Sequence, residues 1–222
     1  TLPYSSIGTE RKHSDGSYSN QEEAVAVASL VLHALLYVPA ASIGVICLYR
    51  QQARTVASLL SKSAAQIMRQ PVPVAVQRVV QRLAATTAKA AHTVAAAKHR
   101  DEPLAGSPAC ASASSSSPTA PSSETSSSLA LLGNIAHRAA SVKVSTVDAF
   151  QGEERDVIVL SCVRSGSGAG GFLASPQRLC VAMTRAKRHL LVCGDATALA
   201  GSDALWRSVL AACKEEEASL GS

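Results

Sequence analysis

"VSTVDAFQGEERDVIVLSCVRS", Val144 to Ser165, sets a charged and amide-rich patch between two apolar segments. Both flanking segments are short and rich in Val, Ile and Thr, which reads as two buried strands. A connection between buried strands needs only a few turn residues. This one carries Asp148, Gln151, Gly152, Glu153, Glu154, Arg155 and Asp156, so more than a change of direction has shaped it.

Working outward, residues 1 to 19 read as loop. Asn20 precedes "QEEAVAVASLVLHALL", whose first turn holds Glu22 and Glu23 ahead of an apolar series. That is a helix with an N-cap and acidic residues at its positive end. "SIGVICLY", Ser42 to Tyr49, is a buried strand. "RQQARTVASLLSKSAAQIM" follows as one helix, apolar at Val56, Leu59, Leu60, Ala64 and Ile67. Beyond a short helix in "LALLGNIAHRAA", three strands are expected in "VKVSTV", "DVIVLSCV" and "HLLVCGD". A helix in "SPQRLCVAMTRAK" separates the last two, and "DALWRSVLAACK" is the final helix. Near-continuous apolar strands alternating with helices indicate an α/β fold, a parallel sheet with helices on both faces. In such sheets ligands bind at the carboxyl ends of the strands, and the polar patch of the opening segment is expected there, lining a cleft.

A long insertion interrupts this pattern. Residues 71 to 100 are rich in Ala and Val with Arg78, Arg82, Lys89, Lys98 and Arg100 interspersed, able to form one basic helix or to stay partly ordered. "SPACASASSSSPTAPSSETSSS", Ser107 to Ser128, is low-complexity sequence with little to bury, expected to be disordered. The division expected is 1–64 for the first part of the domain, 65–140 for an Ala/Ser-rich, basic, largely disordered insertion, 141–214 for the remainder and 215–222 for a tail. The basic residues of the insertion read either as a tolerated surface loop or as an arm for nucleic acid.

Bulk properties bound the partners. A formal net charge of +5 over 222 residues favours a polyanion mildly. Six cysteines stand singly, without C-x-x-C or His at ligand spacing, so no zinc or other metal site is expected. Unpaired cysteines in apolar runs fit a reducing, intracellular compartment, nucleus or cytoplasm. No run approaches the roughly 18 apolar residues of a membrane span. The chain opens with Thr1, and a longer parent protein is expected.

The segment Ser145 to Arg164, "STVDAFQGEERDVIVLSCVR", resembles motif V of superfamily 1 helicases, which reads "(S/T)VDxFQGxExDxVxLSxVR". Gly171 to Lys187, "GFLASPQRLCVAMTRAK", resembles motif VI. The branch is that of the regulators of nonsense transcripts, senataxin and the immunoglobulin mu-binding helicase. "SYSNQEEAVAVASLVLHAL" and "IGVICLYRQQ" match in order upstream. The resemblance implies the second RecA-like domain of an ATP-dependent helicase moving on single-stranded RNA or DNA. Arg185 would reach the γ-phosphate as the catalytic arginine, and Glu154 would bind the ribose. Gln151 and Gly152 would join them in the nucleotide cleft and couple it to the nucleic-acid track. Ser145, Thr146, Tyr49 and Gln52 would face nucleic acid. ATP and Mg²⁺ would be held mainly by the first RecA-like domain of the same chain, since G-x-x-x-x-G-K-(S/T) is absent here.

Competing structural readings stand beside these roles. Asp148 and Asp156 could cap turns, Arg164 and Arg178 could be ion-pair partners, Lys187 and Arg188 solvated charges, and Trp206 core. Two departures from the family pattern bear on function. Cys180 stands where Asn is usual. Cys47 and Leu48 replace Thr and Pro, removing a hydroxyl from an expected nucleic-acid contact. These departures keep a second reading open: a non-catalytic RecA-like module that binds nucleic acid or protein.

Overall fold

Four parallel strands form the sheet, in the order β4–β3–β5–β6, with β3 at Ile43–Cys47, β4 at Lys143–Thr146, β5 at Arg155–Ser161 and β6 at Ala186–Cys193. The structure is a computed structural model that describes residues 8–39, 41–69, 77–85, 134–165 and 175–219. Strand alternation divides the core in two. Val45, Val157 and Val159 point to one face, where they meet α1 (Gln21–Tyr37), α2 (Arg50–Lys62) and α3 (Ala64–Met68). Ile46, Ile158 and Leu160 point to the other, against α6 (Pro176–Met183), α7 (Ala196–Ser202) and α8 (Ala204–Ser219), with Trp206 enclosed among them. The parallel sheet covered on both faces is the α/β arrangement that the sequence pattern indicates, consistent with the RecA-like fold that the resemblance implies.

Local differences from the sequence reading have local causes. The expected N-terminal loop contains a small antiparallel hairpin, β1 (Arg11–Lys12) and β2 (Tyr18–Ser19), too short to leave a periodic signal. The long helix expected from Arg50 breaks at Ser63, whose backbone at φ −117° and ψ 7° leaves the helical region, in keeping with the low helix preference of Ser. Two helices, α4 (77–85) within the stretch able to form a basic helix and α5 (134–140) within the short helix expected in "LALLGNIAHRAA", lie inside the span assigned to the insertion. Their Val80, Leu83, Ile135 and Ala139 are buried in the same core as Val45 and Val159. The ordered core therefore reaches into residues 65–140, while the Ser/Pro-rich stretch at 107–128 lies outside the described residues.

The connection from β4 to β5 explains the length of the opening segment. Thr146 pairs with Cys47, which pairs with Ser161, so all three stand at the carboxyl edge of the sheet. Arg155 pairs with Ala186 at the amino edge. Parallel strands cannot be joined by a tight turn, so residues 147–154 must travel the length of the sheet, passing over β3. They do so through one 3-10 turn, Asp148–Phe150. Phe150 is fully buried on the strand where Gly44 has no side chain; a Cβ there would lie 2.6 Å from the ring. Lys143 and Arg155 flank the ring at 5.3 and 5.8 Å from its centroid. The expectation that the whole patch sits at the carboxyl edge is thereby corrected: its first residues do, whereas Glu153 to Asp156 lie at the opposite edge.

Replacing Gly44 with Val should force Phe150 off the strand and destabilise the domain by about 1–3 kcal/mol, the usual range for overpacking. Chemical denaturation checks this, and an unchanged midpoint would show that the ring has no need of that space.

Candidate functional site

The amino edge gathers Glu154 and Arg185. The Arg155 N–H donates to the Arg185 carbonyl at 3.0 Å, which sets the two residues at the starts of adjacent strands. Glu154 is exposed, and among the described residues its carboxylate has no partner. Its backbone is held firmly. Arg155 donates from Nη1 to the Glu154 carbonyl at 2.9 Å and from Nη2 to Glu153 at 2.7 Å. Glu153 also accepts from Lys143, whose ammonium is the leading cause that draws the Glu153 carboxyl below its usual range. Gly152 adopts φ +81°, a left-handed conformation natural only to glycine, and this lets the chain turn into β5. Gln151 beside it is exposed.

Arg185 follows α6. Its Nε donates to the Val181 carbonyl and its Nη2 to the Thr184 hydroxyl, both at 3.1 Å, so the guanidinium rests on the end of its own helix. Among the described residues it forms no ion pair with Glu154. An acceptor-only carboxylate beside a permanently charged fork suits a ligand with both hydroxyls and phosphate oxygens. The nearby residues with competing readings are structural. Asp156 accepts from the Ser42 N–H at 2.9 Å and its hydroxyl at 2.7 Å, bonds that lower its carboxyl. Arg188 lies 3.6 Å from Asp156 and Arg178 lies 3.4 Å from Asp148.

The carboxyl edge holds the other expected residues. The Ser145 hydroxyl donates to the Thr146 carbonyl at 3.3 Å, and Thr146 ends β4. Tyr49 caps α2 at 9% exposure, with its ring edge-on to Tyr18 at 5.3 Å between centroids. Arg164 covers the Tyr18 ring at 4.4 Å and pairs with Glu10 at 3.0 Å. Two expectations fail here. Gln52 is fully buried; its Oε1 accepts from the Asn20 N–H at 2.9 Å and its Nε2 donates to Ser161 Oγ at 3.1 Å, so it holds elements together and cannot face nucleic acid. Cys47 is fully buried too, so the missing hydroxyl at that position lies in the core rather than at a nucleic-acid contact.

Below this edge is a polar cluster that the sequence reading did not single out. Glu23 is 1% exposed and accepts from Ser161 Oγ at 2.6 Å and from the Val163 N–H at 3.0 and 3.1 Å. Val163 has φ +72°, a genuine outlier for a β-branched residue and a strain of about 1–3 kcal/mol. A signal was present: Glu23 lies four residues before Val27 and seven before Leu30, on the apolar stripe of α1. Cys47, Cys162 and Cys193 surround this carboxylate as free, buried thiols, raised by burial first and by Glu23 second. Among the described residues no group of His, Cys, Asp or Glu is arranged to hold a metal ion.

Part of the chain is similar to known proteins. An AAA domain family matches residues 120–197. The ATP-dependent helicase upf1 of Schizosaccharomyces pombe is 51% identical over 76 residues, 34% of this chain and 8% of that protein. Regulator of nonsense transcripts 1 of Dictyostelium discoideum is 48% identical over 77 residues, 34% and 6% of the two chains. Over this segment the chain is similar to superfamily 1B helicases. A third relative, the S. pombe helicase required for RNAi-mediated heterochromatin assembly 1, is 50% identical over 66 residues, 29% and 7% of the two chains. The chain thus spans less than a tenth of each relative's length. Among the described residues no helix is long and apolar enough to cross a membrane.

The Glu23 carboxyl is pushed up to about 7 by burial, from 4.5. Between those values the folded chain keeps a proton that the unfolded chain releases, so this group's contribution to stability falls as pH rises through the window. The surrounding thiols stay neutral there. Thermal denaturation across the window should show a steeper loss in the wild type than in Glu23→Gln; equal slopes would contradict the assignment.

Proposed function

We propose that this domain is the second motor half of an ATP-dependent helicase acting on single-stranded RNA or DNA, with Arg185 as its arginine finger and Glu154 as its ribose contact. The observation that carries this reading is their position at the starts of β5 and β6, joined by the Arg155–Arg185 backbone bond. The guanidinium rests on a carbonyl and a hydroxyl, both neutral acceptors. A phosphate oxygen makes a stronger, charge-assisted bond, so a triphosphate brought to this edge would draw Arg185 off the helix end. A first RecA-like domain of the same protein would supply the phosphate loop and the Mg²⁺ ligands. ATP would then lie between the two domains, and Arg185 would stabilise the charge that develops on the γ-phosphoryl oxygens.

The carboxyl edge is the proposed nucleic-acid side. The hydroxyls of Ser145 and Thr146 suit sequence-independent contacts to phosphate. Gln151 and Gly152 lie on the connection between the two edges, where a shift of either end moves the other. The name of the S. pombe relative, an ATP-dependent helicase, supports the assignment.

In the full-length protein, Arg185→Ala should lower nucleic-acid-stimulated ATP turnover by about a thousandfold while leaving oligonucleotide binding in place. Unchanged turnover would remove Arg185 from the mechanism. A wild-type protein that binds nucleic acid and never hydrolyses ATP would instead support the non-catalytic module. Glu154→Ala should raise KM for ATP and abolish discrimination against 2′,3′-dideoxy-ATP, because the lost carboxylate is the group that reads those hydroxyls. Discrimination that survives would place the ribose elsewhere.

A further inference from the structure

The buried cluster under the carboxyl edge is not used by the proposed chemistry, yet it joins three segments distant in sequence. The Asn20 N–H donates to Gln52, Gln52 to Ser161, and Ser161 to Glu23, linking the start of α1, the first turn of α2 and the end of β5. Asn20 Oδ1 also accepts from the Glu23 N–H at 3.1 Å, which fixes the residue whose carboxylate is at the end of the chain of bonds. Both oxygens of that carboxylate receive the Val163 N–H.

Val163 is the pivotal residue. Left to itself, a β-branched residue leaves φ +72° for the extended region. The next residue, Arg164, would then leave its present place. There its guanidinium covers Tyr18, pairs with Glu10 and shares a hydrogen bond with Tyr49. Ser165 continues the same contact, donating from its N–H and hydroxyl to Glu10. The N-terminal hairpin, the Tyr49 cap of α2 and the chain leaving β5 are all fastened through this one turn.

We propose that Glu23 is a positioning residue for the nucleic-acid edge: its buried carboxylate pins Val163 in the left-handed conformation and so delivers Arg164 to Tyr18, Tyr49 and Glu10, fixing the surface beside Thr146. The proposal rests on the reading of the carboxyl edge as the nucleic-acid side. Glu23 touches neither ligand; it acts through the backbone of Val163. A carboxylate accepts from every donor that reaches it, whereas an amide presents an N–H to the Val163 N–H from one of its two arms.

The test, run above the Glu23 value of about 7 so that the group is ionised, uses the full-length protein as wild type, Glu23→Gln, Val163→Gly and the double variant. Glycine adopts φ +72° without strain, so it should make the pin dispensable. Affinity for labelled oligo-uridylate and oligo-thymidylate is measured beside affinity for a fluorescent ATP analogue, with amide hydrogen exchange read at residues 163–165. Glu23→Gln should weaken oligonucleotide binding by about tenfold, the loss expected for a charged hydrogen bond. Nucleotide affinity should stay within about twofold, because Glu154 and Arg185 stand at the opposite edge. Exchange at 164 and 165 should quicken, and the double variant should recover both binding and protection. If Glu23→Gln binds oligonucleotide as the wild type does, or if Val163→Gly fails to rescue it, the proposal is overturned. If Glu23→Gln does not fold, a folded double variant supports the pin, and an unfolded one beside a folded Val163→Gly overturns it. A wild type that binds neither oligonucleotide defeats the nucleic-acid reading instead; the exchange measurement still decides whether Glu23 holds the turn.

Discussion

A chain that joins two parallel strands must return along the whole length of the sheet before it can start the second one. In this domain that constraint governs the connection from β4 to β5, eight residues with no room for a helix of ordinary length. The seat of Phe150 over Gly44 makes so short a return path feasible. With the ring buried against bare backbone, residues 147–154 lie flat on β3, and the two ends of the connection emerge at opposite edges. The helices described between β3 and β4 lie on the other face, as a single crossover hand requires for a step the other way across the sheet. The charged patch is thereby stretched from one edge to the other, with Thr146 at the start and Glu154 at the finish.

This placement gives the domain two working edges on a single sheet. Glu154 and Arg185 occupy the amino edge, held by Arg155, Glu153 and Lys143. Thr146, Tyr49 and Arg164 occupy the carboxyl edge, held by the buried bonds among Asn20, Gln52, Ser161 and Glu23. The two supports differ in kind. At the amino edge the ion pairs are partly exposed and individually weak, and the backbone bond between Arg155 and Arg185 sets the register. At the carboxyl edge the polar groups are enclosed, where leaving any of them unpaired would cost about 1–3 kcal/mol. The second support is accordingly the stiffer one.

Much of the fold was legible in the sequence, because strands buried on both faces are nearly continuous in Val, Ile and Leu and the intervening helices carry clear apolar stripes. The edges were not legible. Which end of a strand a residue occupies depends on register, and register is set by pairing between residues about a hundred positions apart, such as Val45 with Val144 and Val159. The motif resemblance named Glu154 and Arg185 without giving their edge, and it counted Gln52 and Cys47 as surface contacts when both are buried. Helix α5 was legible as the short helix of "LALLGNIAHRAA", and α4 only as one of two readings of its Ala-rich stretch, although Val80 and Leu83 stand at helical spacing. Glu23 left a faint signal, one acidic residue on an apolar stripe, which reads equally as a favourable charge at a helix start. Only the third dimension distinguishes the two.

The most direct measurement of the two-edge arrangement is a structure of the full-length protein bound to a non-hydrolysable ATP analogue and a single-stranded oligonucleotide. The account predicts the triphosphate against Arg185 and Glu154 at the start of β5 and β6, with the oligonucleotide backbone across the far edge beside Ser145 and Thr146. A nucleotide found at the carboxyl ends of the strands, next to Thr146, would contradict it.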